Sequence, residues 1–285
     1  MNWRIAEIGW RIFPGAIATV VFASLLKLGA LQPLEHIAYQ GLFRLRGEQP
    51  WDDRIVLVKI DDASLKKLGR FPWSRQRYTE LLNQLDKANA NLVVMDLLLS
   101  ERSAEDAALA EVMSRIPVVL AEGEDRKGSL LLPIPSLYQN AIATGHIRVM
   151  ADEDGIVRKI EPRSRNAFAL GIATVNAYSL TRETIPLPDV SHPIWLNWAG
   201  RVEHLQQVSF VDVLQGKVNS AIFENKIVLV GMTATATDAT PTPFDQNPPA
   251  HGVHLQATLI HNLLQQNSLR PIDQSWMMAL ILIVG

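Results

Sequence analysis

The sequence predicts an α/β domain, a largely parallel or mixed sheet with helices on both faces, flanked by an N-terminal transmembrane helix and the start of a C-terminal one. Three observations predict it. Short apolar runs rich in β-branched residues alternate with helical patterns. An uncharged apolar run lies near each end of the 285 residues. The composition, 48% hydrophobic with no cysteine, supports a substantial core and excludes disulfides, thiolate metal sites and a cysteine nucleophile. A net charge of −2 offers no basic stripe to nucleic acid, so no such partner is expected.

The first run, Ile12 to Leu26, is free of charge; Lys27 interrupts it and Leu28 to Leu31 resumes it. A span needs about 20 apolar residues, which 12–31 supplies if Lys27 snorkels to the headgroups. Trp3 and Trp10 stand where an aromatic belt would lie. At the other end, Trp276 to Gly285 is again uncharged. Residues 1–32 are therefore expected as a cytoplasmic stub and span, 33–272 as one folded domain, and 273–285 as the start of a second span. Two spans would put 33–272 on one side of the membrane. Charge fixes that side weakly: Arg4 and Arg11 precede the first span with Glu7 against them, and Lys27, Arg44 and Arg46 follow.

Within the domain, Ile55–Ile60, Leu92–Met95, Pro117–Ala121 and Ile227–Gly231 are nearly continuous apolar runs, the pattern of strands covered on both faces. Ser74 is placed to cap a helix whose apolar face is Tyr78, Leu81, Leu82, Leu85 and Ala88. Ser103 and Asp106 form a capping-box pattern before a helix over 104–113. Residues 167–180 and 253–266 read as two further helices. Asp152-Glu-Asp-Gly155 reads as a turn between two short strands, 145–150 and 156–162, with Arg158 pairing to Asp154. Pro186, Pro188 and Pro193 fence a loop before a strand at 194–198.

Together the segments DRIVLVKIDDASLKKLGRFPWSR (53–75), LDKANANLVVMDLLLSE (85–101), GHIRVMADEDGIVRKI (145–160), SFVDVLQGKV (209–218), ENKIVLVGMTATATDATPTPF (224–244) and HGVHLQATLIHNLL (251–264) resemble the CHASE2 domain. The resemblance covers roughly 43–272. It implies an extracytoplasmic sensor of bacterial, notably cyanobacterial, receptors carrying adenylate cyclase, histidine kinase or serine/threonine kinase outputs. It also implies an N-terminal span, usually three spans after the sensor, and a place in the inner membrane with 33–272 outside. It names no ligand. The expected partners are the membrane, an unidentified small-molecule or protein stimulus, and a second copy in a homodimer.

Acids stand just after the apolar runs: Asp61 and Asp62 after the first, Asp96 and then Glu101 after the second, Glu122 and Glu124 after the third, and Asp238 in the loop after Gly231. Loops at the carboxyl ends of strands form the ligand crevice of open α/β sheets. The acids are therefore candidates for contact with a cation, an amine or a hydroxyl-rich solute. Asp after a strand is equally a helix cap. Trp73 and Arg75 could stack on and clamp a ligand, or plug the sheet edge. His254 shares a helix face with His261 and sits near His251, but no zinc-binding pattern joins them. No glycine-rich phosphate loop and no serine elbow appears. No catalytic residue, metal or cofactor is expected. Two readings compete with a sensor: a membrane-anchored metal-dependent hydrolase using Asp61, Asp62, Asp96 and Asp238, and a structural module that binds another periplasmic protein.

Overall fold

The computed structural model describes residues 32–270 except 236 and 238, together with 19–21, 24, 25, 28 and 30. It divides into two units, 1–46 with 270–285, and 47–269. In the first unit the described element is helix α1 (Gln32–Arg46). Glu35 in its first turn and Arg44 and Arg46 in its last oppose the helix dipole with the correct signs. Among the described residues no helix is long and apolar enough to cross a membrane. The run at 12–31 is described only in part, and 276–285 lies outside the described residues. The flanking spans are therefore not part of the fold as described.

The second unit is the expected α/β body. Strands β1 (Ile55–Ile60), β2 (Leu92–Met95), β3 (Val118–Glu124), β4 (Leu130–Leu131) and β5 (Ala143–His146) form one sheet with β10 (Gln207–Ser209) and β11 (Ile227–Met232). The order is β10-β1-β11-β2-β3, with β5 parallel on β3 and β4 antiparallel to its end. The remaining strands are two-residue ladders: β6 (Lys159–Ile160) with β9 (Ile194–Trp195), β7 (Arg163–Ser164) with β8 (Ala167–Phe168), and β12 (Ala239–Thr240) with β13 (Ala250–His251).

The crossovers β1 to β2, β2 to β3, β3 to β5 and β10 to β11 all step the same way, while β5 to β10 runs back across the sheet. With a single handedness the former place their connecting helices on one face. That face holds α2 (Asp62–Leu68), α3 (Arg75–Lys87), α4 (Asp106–Met113), α5 (Pro135–Tyr138) and α7 (Phe210–Leu214). Tyr78, Leu81, Leu82, Leu85, Leu109, Val112, Leu137, Phe210 and Val213 meet Val56, Val58, Val93, Val118, Leu120, Val228 and Val230 in one core. The alternate strand residues, among them Ile55, Leu57, Val94, Val119 and Leu229, are equally buried. The opposite face carries α6 (Leu170–Thr181) and α8 (Gly252–Gln265).

Three glycines let these two helices sit close. A Cβ on Gly145 would stand 2.6 Å from Leu170 Cα, one on Gly171 2.8 Å from Leu259 side-chain carbons, and one on Gly231 2.4 Å from Val253 Cγ2.

The hairpin expected over 145–162 is not formed. Ala143–His146 joins β3 in parallel instead, and Lys159–Ile160 pairs with Ile194–Trp195. The turn survives as a local feature: Asp152 accepts from the Gly155 amide, and Arg158 bridges Asp152 and Asp154 at 2.7 and 2.6 Å. The helix expected over 167–180 starts at Leu170, because Ala167–Phe168 pairs as a strand first. The third strand runs on to Glu124, so Glu122 and Glu124 lie within it rather than after it.

Candidate functional site

The carboxyl ends of the parallel strands form one pole of the second unit. Asp61, Asp62 and Asp96 lie there as expected, but the first two are engaged in building the fold. Asp61 caps α2. Its Oδ1 accepts from the Ser64 amide and hydroxyl, at 2.9 and 2.7 Å, and from the Ser209 hydroxyl at 2.9 Å. Ser64 Oγ in turn accepts from the Val211 amide. This network ties the ends of β1 and β10 to the starts of α2 and α7. Asp62 accepts from the amide and hydroxyl of Thr235, pinning the loop after β11. Asp96 donates its amide to the Val230 carbonyl at 2.9 Å. Asp238 lies outside the described residues.

Trp73 and Arg75 are packed rather than presented. The Trp73 indole donates to the Gly69 carbonyl at 2.9 Å and its ring meets Phe71 and Phe210. Arg75 is buried, with Nε on Asp106 at 3.1 Å and Nη2 on the Glu101 carbonyl at 2.7 Å. Glu101 thus contributes its backbone here, and its side chain is exposed. The expected capping box is half formed: Asp106 accepts from the Ser103 amide at 2.6 Å. His254 is buried at the start of α8, where Nδ1 accepts the His251 amide at 3.1 Å. Burial pushes its pKa down to about 3, reinforced by the nearby His251, so it is a neutral cap.

A cavity of about 220 Å³ opens at the same pole, beside the ends of β3 and β5. None of the seven described candidates above lines it. Its polar lining is Glu122, Glu124, His146, Arg148 and Ser164, and Leu98, Leu130 and Val149 supply apolar wall. β3 outruns its neighbours here, and β4 folds back on its last two residues. Glu122 and His146 are register partners across β3 and β5, so one pleat sends both toward the same space. Glu122 is only 8% exposed and accepts from the Thr144 hydroxyl. His146 is 6% exposed, and neither ring nitrogen makes a well-formed hydrogen bond. Burial lowers its pKa, more than the nearby Glu161 carbonyl raises it, so the imidazole is held neutral. Sequence reading named Glu122 among the strand-end acids but passed over His146. The alternation Thr144–His146 is polar on one face and resembles a loop.

Among the described residues no group of three His, Cys, Asp or Glu side chains could hold a metal ion.

The opposite pole, at the amino ends of the strands, is where the chain comes into and leaves this unit. Asp52, just before β1, accepts from the Arg54 amide, Nε and Nη2 and from Gln265 Nε2 at the end of α8. The Asp52 amide donates to His261 Nδ1 at 3.1 Å. Arg54 also reaches Glu183 at 2.6 Å. Although burial alone would raise it, the Asp52 carboxyl is held below its ordinary pKa by Arg54 and Gln265. α8 thus spans the unit, from the His251 pole to a clamp on the segment that leads into β1.

Neither the curated proteins nor the solved structures contain a match to this chain. The family-model comparison does match, over residues 17–285, nearly the whole chain, and that family is one of sensory extracytoplasmic domains rather than catalysts. The chain belongs to the CHASE2 domain family.

Proposed function

We propose that this chain is the input part of a membrane receptor, held in the inner membrane by spans at 12–31 and from 276 onward, with 33–272 outside. The single observation that carries the reading is the two-pole layout of the 47–269 unit. A cavity sits at one pole, and both chain ends are clamped together at the other through Asp52, Arg54, His261 and Gln265. A stimulus at the first pole that moved α8 would change the spacing of the two connections at the second. A ligand biases such a device only by its differential affinity for the two arrangements. Leu34, Ile37 and Leu45 on α1 are exposed apolar side chains of the kind a headgroup layer or a second copy would cover, which fits a membrane-bound homodimer. The output in this reading is a cytoplasmic cyclase or kinase.

The test is a fusion of residues 1–285 ahead of a cytoplasmic adenylate cyclase reporter. Breaking the clamp with Asp52→Asn is expected to shift cyclic AMP at least severalfold at equal membrane level. Unchanged output would overturn the coupling. A metal-dependent hydrolase is the weaker reading, because Asp61 Oδ1 and both Asp62 oxygens already accept from Ser64, Ser209 and Thr235.

A further inference from the structure

We propose that the cavity between the ends of β3 and β5 is the stimulus site, and that it takes a small zwitterion of amino-acid size, its ammonium on Glu122 and its carboxylate toward Arg148 and His146. The inference rests on the sensory reading above and adds the chemistry of the ligand. Size comes first. A volume of about 220 Å³ is suited to a small solute such as a single amino acid. Charge comes second. Glu122 is a buried carboxylate whose one described donor is the Thr144 hydroxyl, so it has acceptor capacity to spare. Glu124 is partly occupied by Arg165 at 3.6 Å. Arg148 is exposed at the rim and forms no ion pair among the described residues.

The third observation is independent of both. His146 lines the cavity, is 6% exposed, and neither ring nitrogen makes a well-formed hydrogen bond, the Glu161 carbonyl giving only a marginal contact. A buried imidazole so poorly partnered is costly unless something else supplies a partner. A neutral imidazole offers one donor and one acceptor, which suits a ligand bearing a carboxylate beside an ammonium. Leu98, Leu130 and Val149 leave an apolar wall for a short aliphatic side chain. A divalent cation is the poorer fit, since no three metal-ligating side chains converge among the described residues.

The experiment uses the 1–285 chain in nanodiscs and reads melting midpoint and calorimetric binding. The probes are L-alanine, L-valine and L-leucine. The controls are isobutylamine and isovalerate, each of which keeps one of valine's two charged groups. At least one amino acid is expected to raise the midpoint by about 5–10 °C at a hundredfold excess over its Kd, while neither control does. Glu122→Gln should weaken binding at least ~10-fold, the loss of one hydrogen bond between charged groups. Arg148→Ala, at an exposed position where folding is not at stake, should do the same. No shift with any of the three amino acids, or shifts that persist in both variants, would overturn the assignment. Either result would leave the cyclase-fusion test of the sensory reading standing on its own.

Discussion

Substituting Asp52 by asparagine keeps the shape of the side chain and removes its charge. In the parent the carboxylate side chain is 1% exposed and accepts from Arg54 Nε at 2.9 Å, Arg54 Nη2 at 2.7 Å and Gln265 Nε2 at 2.8 Å. An amide offers a single acceptor oxygen and turns an NH₂ toward donors. Hydrogen bonds to charged groups contribute ~1.5–3 kcal/mol each, and removing one partner of a buried pair costs ~3–5 kcal/mol. Arg54 remains 25% exposed and retains Glu183, so water and that carboxylate take up part of the loss. The expected cost is therefore near the lower bound, about 3 kcal/mol. Urea unfolding of residues 47–269, followed by tryptophan fluorescence, should show a lower midpoint at unchanged slope. The deficit should persist at high salt because the pair is shielded from solvent. Glu183→Gln, at a side chain 56% exposed, should cost less than ~0.5 kcal/mol. An Asp52→Asn protein within ~0.5 kcal/mol of the parent, or a Glu183→Gln protein equally weakened, would refute the clamp.

Three further outcomes follow from the same structure. Gly145→Ala puts a carbon 2.6 Å from the Leu170 backbone, which cannot rotate away; the expected loss is ~3 kcal/mol or more, read from the unfolding midpoint. Asp61→Ala removes the α2 cap and the link to Ser209, at a cost of ~1–2 kcal/mol, but should leave amino-acid binding in the β3–β5 cavity intact by calorimetry. His254 is neutral when folded, with a pKa of about 3, whereas the unfolded chain takes up its proton near pH 6.5. Its contribution is thus fully present above pH 6.5 and is lost as pH falls toward 3, at ~1.4 kcal/mol per unit. Relative to His254→Asn, which keeps an acceptor for the His251 amide, the parent should lose about 1.4 kcal/mol more between pH 7.5 and 5.5.

Local pattern carried much of the fold. Ile55–Ile60 and Leu92–Met95 are strands over the very residues whose unbroken apolar character marks two covered faces. Tyr78, Leu81, Leu82 and Leu85 bury as one helical stripe because 3.6-residue spacing puts them on one side. What local pattern does not carry is pairing. β11 lies between β1 and β2, although more than 130 residues of chain separate Ile227 from Leu92. No local signal encodes that adjacency. The same holds for β5, whose partner is Val119–Glu122 and not the segment after the Asp152–Gly155 turn.

The candidate site was half legible. Of the described acids, Asp61, Asp62 and Asp96 stand at the carboxyl-end pole. Whether an aspartate binds a ligand or caps a helix depends on its donors, and those of Asp61 and Asp62 come in part from Ser209 and Thr235, which are remote in sequence. His146 carries no sequence signal, because its significance lies in being buried with little hydrogen bonding in the folded unit.

The central claim is that the 47–269 unit faces the outside of the cell membrane, and the lack of cysteine in the chain makes it directly testable. Single cysteines at Lys217, which is exposed on the unit, and at Asn2, ahead of the first apolar run, can be probed in spheroplasts with a membrane-impermeant maleimide. The account predicts that Lys217→Cys labels in intact spheroplasts and Asn2→Cys only after the membrane is broken. Protection of Lys217→Cys until lysis would contradict it.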